Sequence, residues 1–307
     1  MFLRKRERNF SDRSNFIYKK HSTFLFILII VSIFTPIITP QHHEKASMRF
    51  RLLLEVNKRA FGNQLPINCQ YEQSAAVYKI LSNADKAYAA WLHDNGFQLA
   101  NRKTFKLFTY SRFKIEKRRL IPEKERLQIL SDTVEWQISF LPEKSTEKFI
   151  QGVFQDQVFE IGDTKSVVQF IVRSVEVMPE PNYSERMVFA TMSPLCLKLR
   201  RSDGKMDYLS PTDARASFLL FNGLFDKYKL FYGKDCSYTF SECKMKVLDT
   251  PKSALIKVKA GMPEETRVRG FMCKLEMEAP VELMRLMYEG GAGSLNSQGF
   301  GCLRVAE

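Results

Sequence analysis

The chain has 307 residues, 45% hydrophobic and 26% charged, and Lys+Arg 47 against Asp+Glu 34 leave a net charge of +13. This composition excludes wholesale disorder and a many-span membrane protein, and the length suggests about two domains of roughly 100–150 residues. The basic excess favours a polyanionic partner, nucleic acid or an anionic membrane surface.

Residues 1–47 differ from the rest of the chain. They hold eight Lys/Arg, three Asp/Glu, an apolar run over residues 24–34, and His21, His42 and His43. A helix over that run reaches about 16 Å, short of a hydrocarbon core of about 30 Å. The segment reads as an N-terminal extension upstream of a start at Met48, or as a targeting-like segment with a basic flank and a short apolar core. No stable membrane association is expected, and a cytoplasmic location is. Residues 48–307 stay basic without the segment and keep one histidine, His93.

From Met48 the pattern alternates between strand and helix. Residues 48–56 read as a strand, and 71–95 as helix with a break and new N-cap at Ser82-Asn83-Ala84-Asp85. Residues 106–113 and 132–141 read as strands on either side of a charged stretch. Then come a short helix over 145–154 and one or two strands over 157–177. Residues 179–183, with two prolines, form the linker between residues 48–178 and 184–307. Beyond it the order repeats: strand 187–200, helix 212–231, strands 238–248, 253–259 and 268–277, helix 280–289, a glycine-rich loop over 290–301 and a last strand over 300–305. The expectation is an α+β fold of two tandem ferredoxin-like βαββαβ domains with a C-terminal glycine-rich loop. The six cysteines, Cys69, Cys196, Cys236, Cys243, Cys273 and Cys302, form no C-x-x-C pair and read as reduced thiols.

The glycine loop follows a helix and precedes a strand, the wrong polarity for a dinucleotide-binding turn. Its context is more informative. RGFMCKLEMEAP (269–280) followed by MYEGGAGSLNSQGFGCLRV (287–305) resembles the signature end of the CRISPR repeat-processing endoribonucleases of the RAMP superfamily. MRFRLLLEV (48–56), Gln70-Tyr71 with Tyr78, KLFTYS (106–111) and Met192-Ser193-Pro194 are similar to further family segments, so the resemblance spans residues 48–307. It implies two RRM-like domains and cleavage of CRISPR precursor RNA within repeats. The ribose 2′-OH would attack phosphorus without a metal, leaving 2′,3′-cyclic phosphate and 5′-OH ends. It implies no cofactor and no metal site. The partners implied are repeat RNA, as precursor and product, and proteins of an interference complex; a homodimer is compatible with it. A non-catalytic RAMP subunit that only binds RNA is the alternative.

Such chemistry needs proton transfer and a cation. The resemblance assigns His93 as base or acid, Tyr78 as its partner and Lys106 as the charge stabiliser. Twelve residues separate His93 from Lys106, so Lys103 competes for the cationic role. For RNA binding, Lys257 with Lys259 and Arg267 with Arg269 alternate on strands that a turn would make adjacent. Other basic clusters are Arg112–Arg119 and Lys198, Arg200 and Arg201. In the loop, Gly291, Gly293, Gly299 and Gly301 would bring backbone to RNA, and Asn296, Ser297 and Gln298 would add side-chain hydrogen bonds.

Overall fold

In a computed structural model the described residues are 48–261 and 263–306; the expectations for the extension fall on residues 1–47, outside them. The alternation of β1 (Met48–Val56) turns Phe50, Leu52 and Leu54 into a core. Two helices follow, α1 (Gln70–Ala84) and α2 (Lys86–Asp94), then β2 (Phe108–Tyr110), β3 (Thr133–Phe140), α3 (Glu143–Gln155), β4 (Val158–Gly162) and β5 (Val167–Val177). Their sheet has the order β2-β3-β1-β5-β4, every neighbour antiparallel. Val77, Ile80 and Leu81 of α1 and Phe149 and Val153 of α3 cover one face of it.

The second half contains β6 (Arg186–Thr191), α4 (Ala216–Tyr232), β7 (Lys244–Val247), β8 (Lys252–Val258), β9 (Thr266–Met272), β10 (Lys274–Glu278), α5 (Val281–Gly290) and β11 (Leu303–Val305). Here the sheet runs β7-β10-β6-β11, again antiparallel throughout. Its core gathers Leu220, Phe221, Leu224, Leu275, Met277, Leu283 and Met287. The fold is mixed α+β, built on antiparallel sheets.

Three predicted strands divide. Residues 268–277 become β9 and β10 in different sheets, because the buried positions change parity. Val268 and Gly270 point inward in β9, whereas Cys273, Leu275 and Met277 do so afterwards. Thr191 holds the break, its N–H donating to the Cys273 carbonyl at 3.0 Å and its Oγ1 accepting from Cys273 N at 2.9 Å. Residues 187–200 divide near Pro194, which has no N–H to extend a ladder; Leu197–Arg200 pairs with Met206–Leu209 instead. Of residues 238–248 only β7 is strand, after a 3-10 turn at Phe240–Glu242. Residues between the predicted elements supply Gln64–Pro66, Arg118–Ile121 and Arg126–Ile129, a small three-stranded sheet.

The halves are joined through β1. Arg49, 4% exposed, donates to the carbonyls of Tyr288 and Leu303, and its guanidinium carbon lies 3.7 Å from the centre of the Tyr288 ring. All six cysteines are free thiols. Among the described residues no helix is long and apolar enough to cross a membrane.

Candidate active site

Asp85 separates the two helices that build the site. Its backbone is extended, with φ −154°, and its carboxylate accepts from Tyr88 N at 2.9 Å, capping α2. This break lets α2 fold back beside α1, so that Tyr78 of α1 meets His93 in the last turn of α2. The two rings lie edge to face, with centroids 5.0 Å apart. Phe108 of β2 supports Tyr78 from another side at 5.8 Å.

The twelve residues between His93 and Lys106 form a small hairpin, with Phe97 opposite Phe105 and Gln98 opposite Thr104. The hairpin returns the chain to its starting point, so its added length does not carry Lys106 away. Gly96 makes the closure possible: its φ is +63°, and a Cβ there would stand 2.7 Å from Lys106 Cδ. Lys106 Nζ donates to the His93 carbonyl at 2.7 Å, where the α2 dipole also favours a cation. Lys103 points elsewhere and pairs with Asp226 of α4. Of the two candidate lysines, the structure brings Lys106 to His93.

Burial pushes the Tyr78 phenol well above its usual range, the nearby Ser297 side chain opposing the shift. At neutral pH it is a hydrogen-bond donor and no base. Burial lowers the Lys106 ammonium, and Asp94 opposes that. The His93 side chain is 65% exposed and its Nδ1 lies 2.8 Å from Asp94 Oδ1. An Nδ1–H donating to Asp94 leaves Nε2 as the acceptor, the tautomer a base requires.

The glycine-rich loop lies against α1. The Ser297 carbonyl accepts from Ser74 Oγ of α1 at 2.8 Å. Gly291, Gly293, Asn296, Gly299 and Gly301 are buried or nearly so, and Ser297 and Gln298 are half-buried. The glycines chiefly permit packing of protein on protein. Gly301 has φ +72°, and a Cβ on it would stand 1.9 Å from the Ala292 carbonyl oxygen. Asn296 Nδ2 donates to the carbonyls of Ala292 and Phe300 at 2.9 and 3.0 Å, so its amide is occupied within the loop.

The second basic feature is the β8–β9 hairpin. Lys257 stands directly opposite Arg267, and Leu255 opposite Arg269. Like charges facing each other are unfavourable, and nearby groups relieve them. Lys257 bonds Glu125 at 2.7 Å, Arg267 approaches Glu265 at 3.6 Å and Arg269 bonds Ser253 at 2.8 Å. Lys259 departs from the expected shared face, because β8 ends at Val258 and Lys259 has φ +55°. Arg112 and Arg118 line a neighbouring cleft of about 230 Å³ with Asn68, Cys69 and Gln70. Sequence reasoning did not find Lys227 of α4, which is buried beneath the loop; on an amphipathic helix a lysine reads as solvated.

Two family models, for the N-terminal and C-terminal parts of CRISPR-associated protein Cas6, match residues 64–176 and 178–305. The chain belongs to the Cas6 family. The CRISPR-associated endoribonuclease Cas6 1 of Methanocaldococcus jannaschii is 29% identical over 260 residues, covering 84% of this chain and 92% of the relative. A Cas6 endoribonuclease of Pyrococcus furiosus is 27% identical over 266 residues, 84% and 90% of the two chains. Among solved structures, one described as a RAMP protein binding different RNA substrates superposes with a TM-score of 0.70 at 23% identity, covering 85% of this chain and 100% of its own. The fold of that protein is thus shared over nearly all of the described residues.

Proposed function

We propose that this Cas6-family chain is a metal-independent endoribonuclease that cuts CRISPR precursor RNA within its repeats. His93 Nε2 takes the proton of the 2′-OH as O2′ bonds to phosphorus. The bond from phosphorus to O5′ breaks and O5′ takes a proton, giving a 2′,3′-cyclic phosphate and a 5′-OH. Tyr78, kept neutral by burial, donates a hydrogen bond to the phosphorane or a proton to the leaving oxygen. Lys106 adds positive charge behind His93. Such a proton-transfer group is worth about 10²–10⁴ in rate. The observation that carries this reading is the edge-to-face contact of Tyr78 and His93, with Lys106 bonded to the same histidine's carbonyl.

The two halves are read as ferredoxin-like domains, residues 48–178 and 184–307, joined by 179–183. Support comes from the element order and from the matching strand order of their sheets. RNA is held by Arg267 and Arg269 on the hairpin and by Lys257 and Lys259, with phosphate displacing Glu125 from Lys257. Ser297 and Gln298, half-buried, provide the contacts near the cut, and the buried glycines Gly291, Gly293, Gly299 and Gly301 shape the loop that presents them. Relatives named as Cas6 endoribonucleases support repeat RNA as the substrate.

The test is cleavage of repeat RNA in EDTA by the wild-type protein and by His93→Ala. One cut with a cyclic-phosphate end, lost in the variant while binding survives, is the expected result. Binding without cleavage by either protein would leave the non-catalytic RAMP reading.

A further inference from the structure

Lys227 has no part in the cluster of Tyr78, His93 and Lys106, yet its environment is unusual for a lysine. It is 1% exposed, in the middle of α4. Its Nζ donates to the carbonyl of Gly291 at 2.5 Å, to Asn296 Oδ1 at 2.7 Å and to the carbonyl of Gly293 at 3.3 Å. An ammonium has three donors, and three oxygens meet it here. Burying a charge is costly, and an apolar side chain of similar length would fill the space without that cost. What the apolar side chain lacks is direction: it would not draw three oxygens, contributed by residues 291, 293 and 296, to one point.

Those oxygens belong to the loop that touches α1. Asn296 receives Lys227 on its oxygen and spends its Nδ2 on the carbonyls of Ala292 and Phe300. One side chain thereby links α4 to both limbs of the loop. The next residue, Ser297, accepts Ser74 Oγ on its carbonyl at 2.8 Å, one helical turn before Tyr78 on α1. A continuous chain of contacts therefore runs from α4 through Asn296 and Ser297 to Ser74 of α1, the helix that carries Tyr78 to His93.

We propose that Lys227 is a positioning residue for RNA cleavage: its ammonium fixes the glycine loop, which through Ser297 and Ser74 holds the turn of α1 that presents Tyr78 to His93. This rests on Tyr78 and His93 being the reacting pair. The strength of the clamp is finely balanced. Burial pushes the Lys227 ammonium down to about 7, with Lys103 adding repulsion, while hydrogen bonds to three oxygens favour the charged form. Asp226, the neighbouring acid, is engaged with Lys103.

The experiment compares Lys227→Met, Asn296→Ala, the double variant and Leu220→Ala. The last is a control on the same helix, fully buried and outside the contact chain. Single-turnover cleavage at saturating repeat RNA, RNA affinity and amide hydrogen exchange are measured well below each melting temperature. Lys227→Met is expected to slow cleavage about 10–100-fold with affinity within about threefold, and to raise exchange in residues 291–301 and 74–80. Asn296→Ala should do the same, and the double variant no more, because both cut one chain of contacts. Leu220→Ala should lower the melting temperature while keeping the rate within about threefold.

Equal slowing by Leu220→Ala, or an unchanged rate in Lys227→Met, overturns the proposal. Should Lys227→Met fail to fold, Asn296→Ala, which keeps the ammonium, decides by the same readouts. Exchange separates this proposal from the catalytic one. If His93→Ala cleaves normally the site assignment falls, whereas the response of residues 74–80 still reports whether the loop is coupled to α1.

Discussion

The two halves arrange their principal strands alike and use their first helical layer in opposite ways. In the first half, α1 and α2 carry Tyr78 and His93 to an accessible edge, with the His93 side chain 65% exposed. In the second half, α4 turns Lys227 inward, and the loop it binds crosses to the first half. One half carries the groups proposed to react, and the other carries the buried ammonium proposed to position them. Similar topology therefore does not imply similar duty. The difference comes from what each layer packs against: α2 ends at solvent, whereas α4 lies under the glycine loop.

The largest effect expected from breaking this division of labour is chemical. His93→Ala should lower single-turnover cleavage about 10²–10⁴-fold with affinity within about threefold. Lys103→Ala, which loses a pair with Asp226 away from the site, should change the rate less than about threefold. A comparable loss in Lys103→Ala would move the cationic role from Lys106.

Stability tests the two cores. Phe149 packs with its ring tilted against Phe140 and Phe50 in the first, and Phe189 is fully buried in the second. Either substitution by Ala should cost about 3–5 kcal/mol in denaturant unfolding. With Arg49 locking the halves together, each variant should still unfold in one transition. Two separated transitions would mean that the seam does not couple them.

A smaller effect is expected from Glu72 on α1. Its Oε2 is buried without a partner, and burial pushes its carboxyl up to about 7. The folded protein then holds this proton more tightly than the unfolded chain. Stability from this group is therefore present at low pH and declines as pH rises from about 4.5 to about 7. Glu72→Gln should flatten that decline and stabilise the protein at pH 8 by about 1 kcal/mol, a figure discounted for partial exposure. An unchanged pH profile in urea unfolding would refute this. The smallest effect belongs to the hairpin. Arg267→Ala and Arg269→Ala should each reduce the steepness of the log–log salt dependence of RNA binding by about 0.7 if each meets one phosphate of a single strand. Unaltered slopes would remove the hairpin from the RNA path.

Much of the framework was legible in the chain. Alternation in MRFRLLLEV marks β1, Asp85 marks the start of α2, and the repeated order of elements anticipates two sheets of like order. Boundaries failed where a strand changes sheet. At Cys273 the parity shift is present in the sequence, but only the pairing partner makes it a break. Of the site, His93, Tyr78 and Lys106 came from resemblance, and the hairpin over 97–105 accounts for the twelve-residue spacing that had put Lys106 in question.

Periodicity and caps act within a few residues, so composition and pattern alone determined the basic character of this protein, the order of its principal strands and helices, and the single histidine available after residue 47. Tertiary structure decided the rest. Lys227 meets Asn296 across 69 residues and Ser74 meets Ser297 across 223. Whether a lysine is solvated or buried, or a glycine loop is free or packed, depends on what comes to lie beside it, and that is settled only when distant segments share one interior.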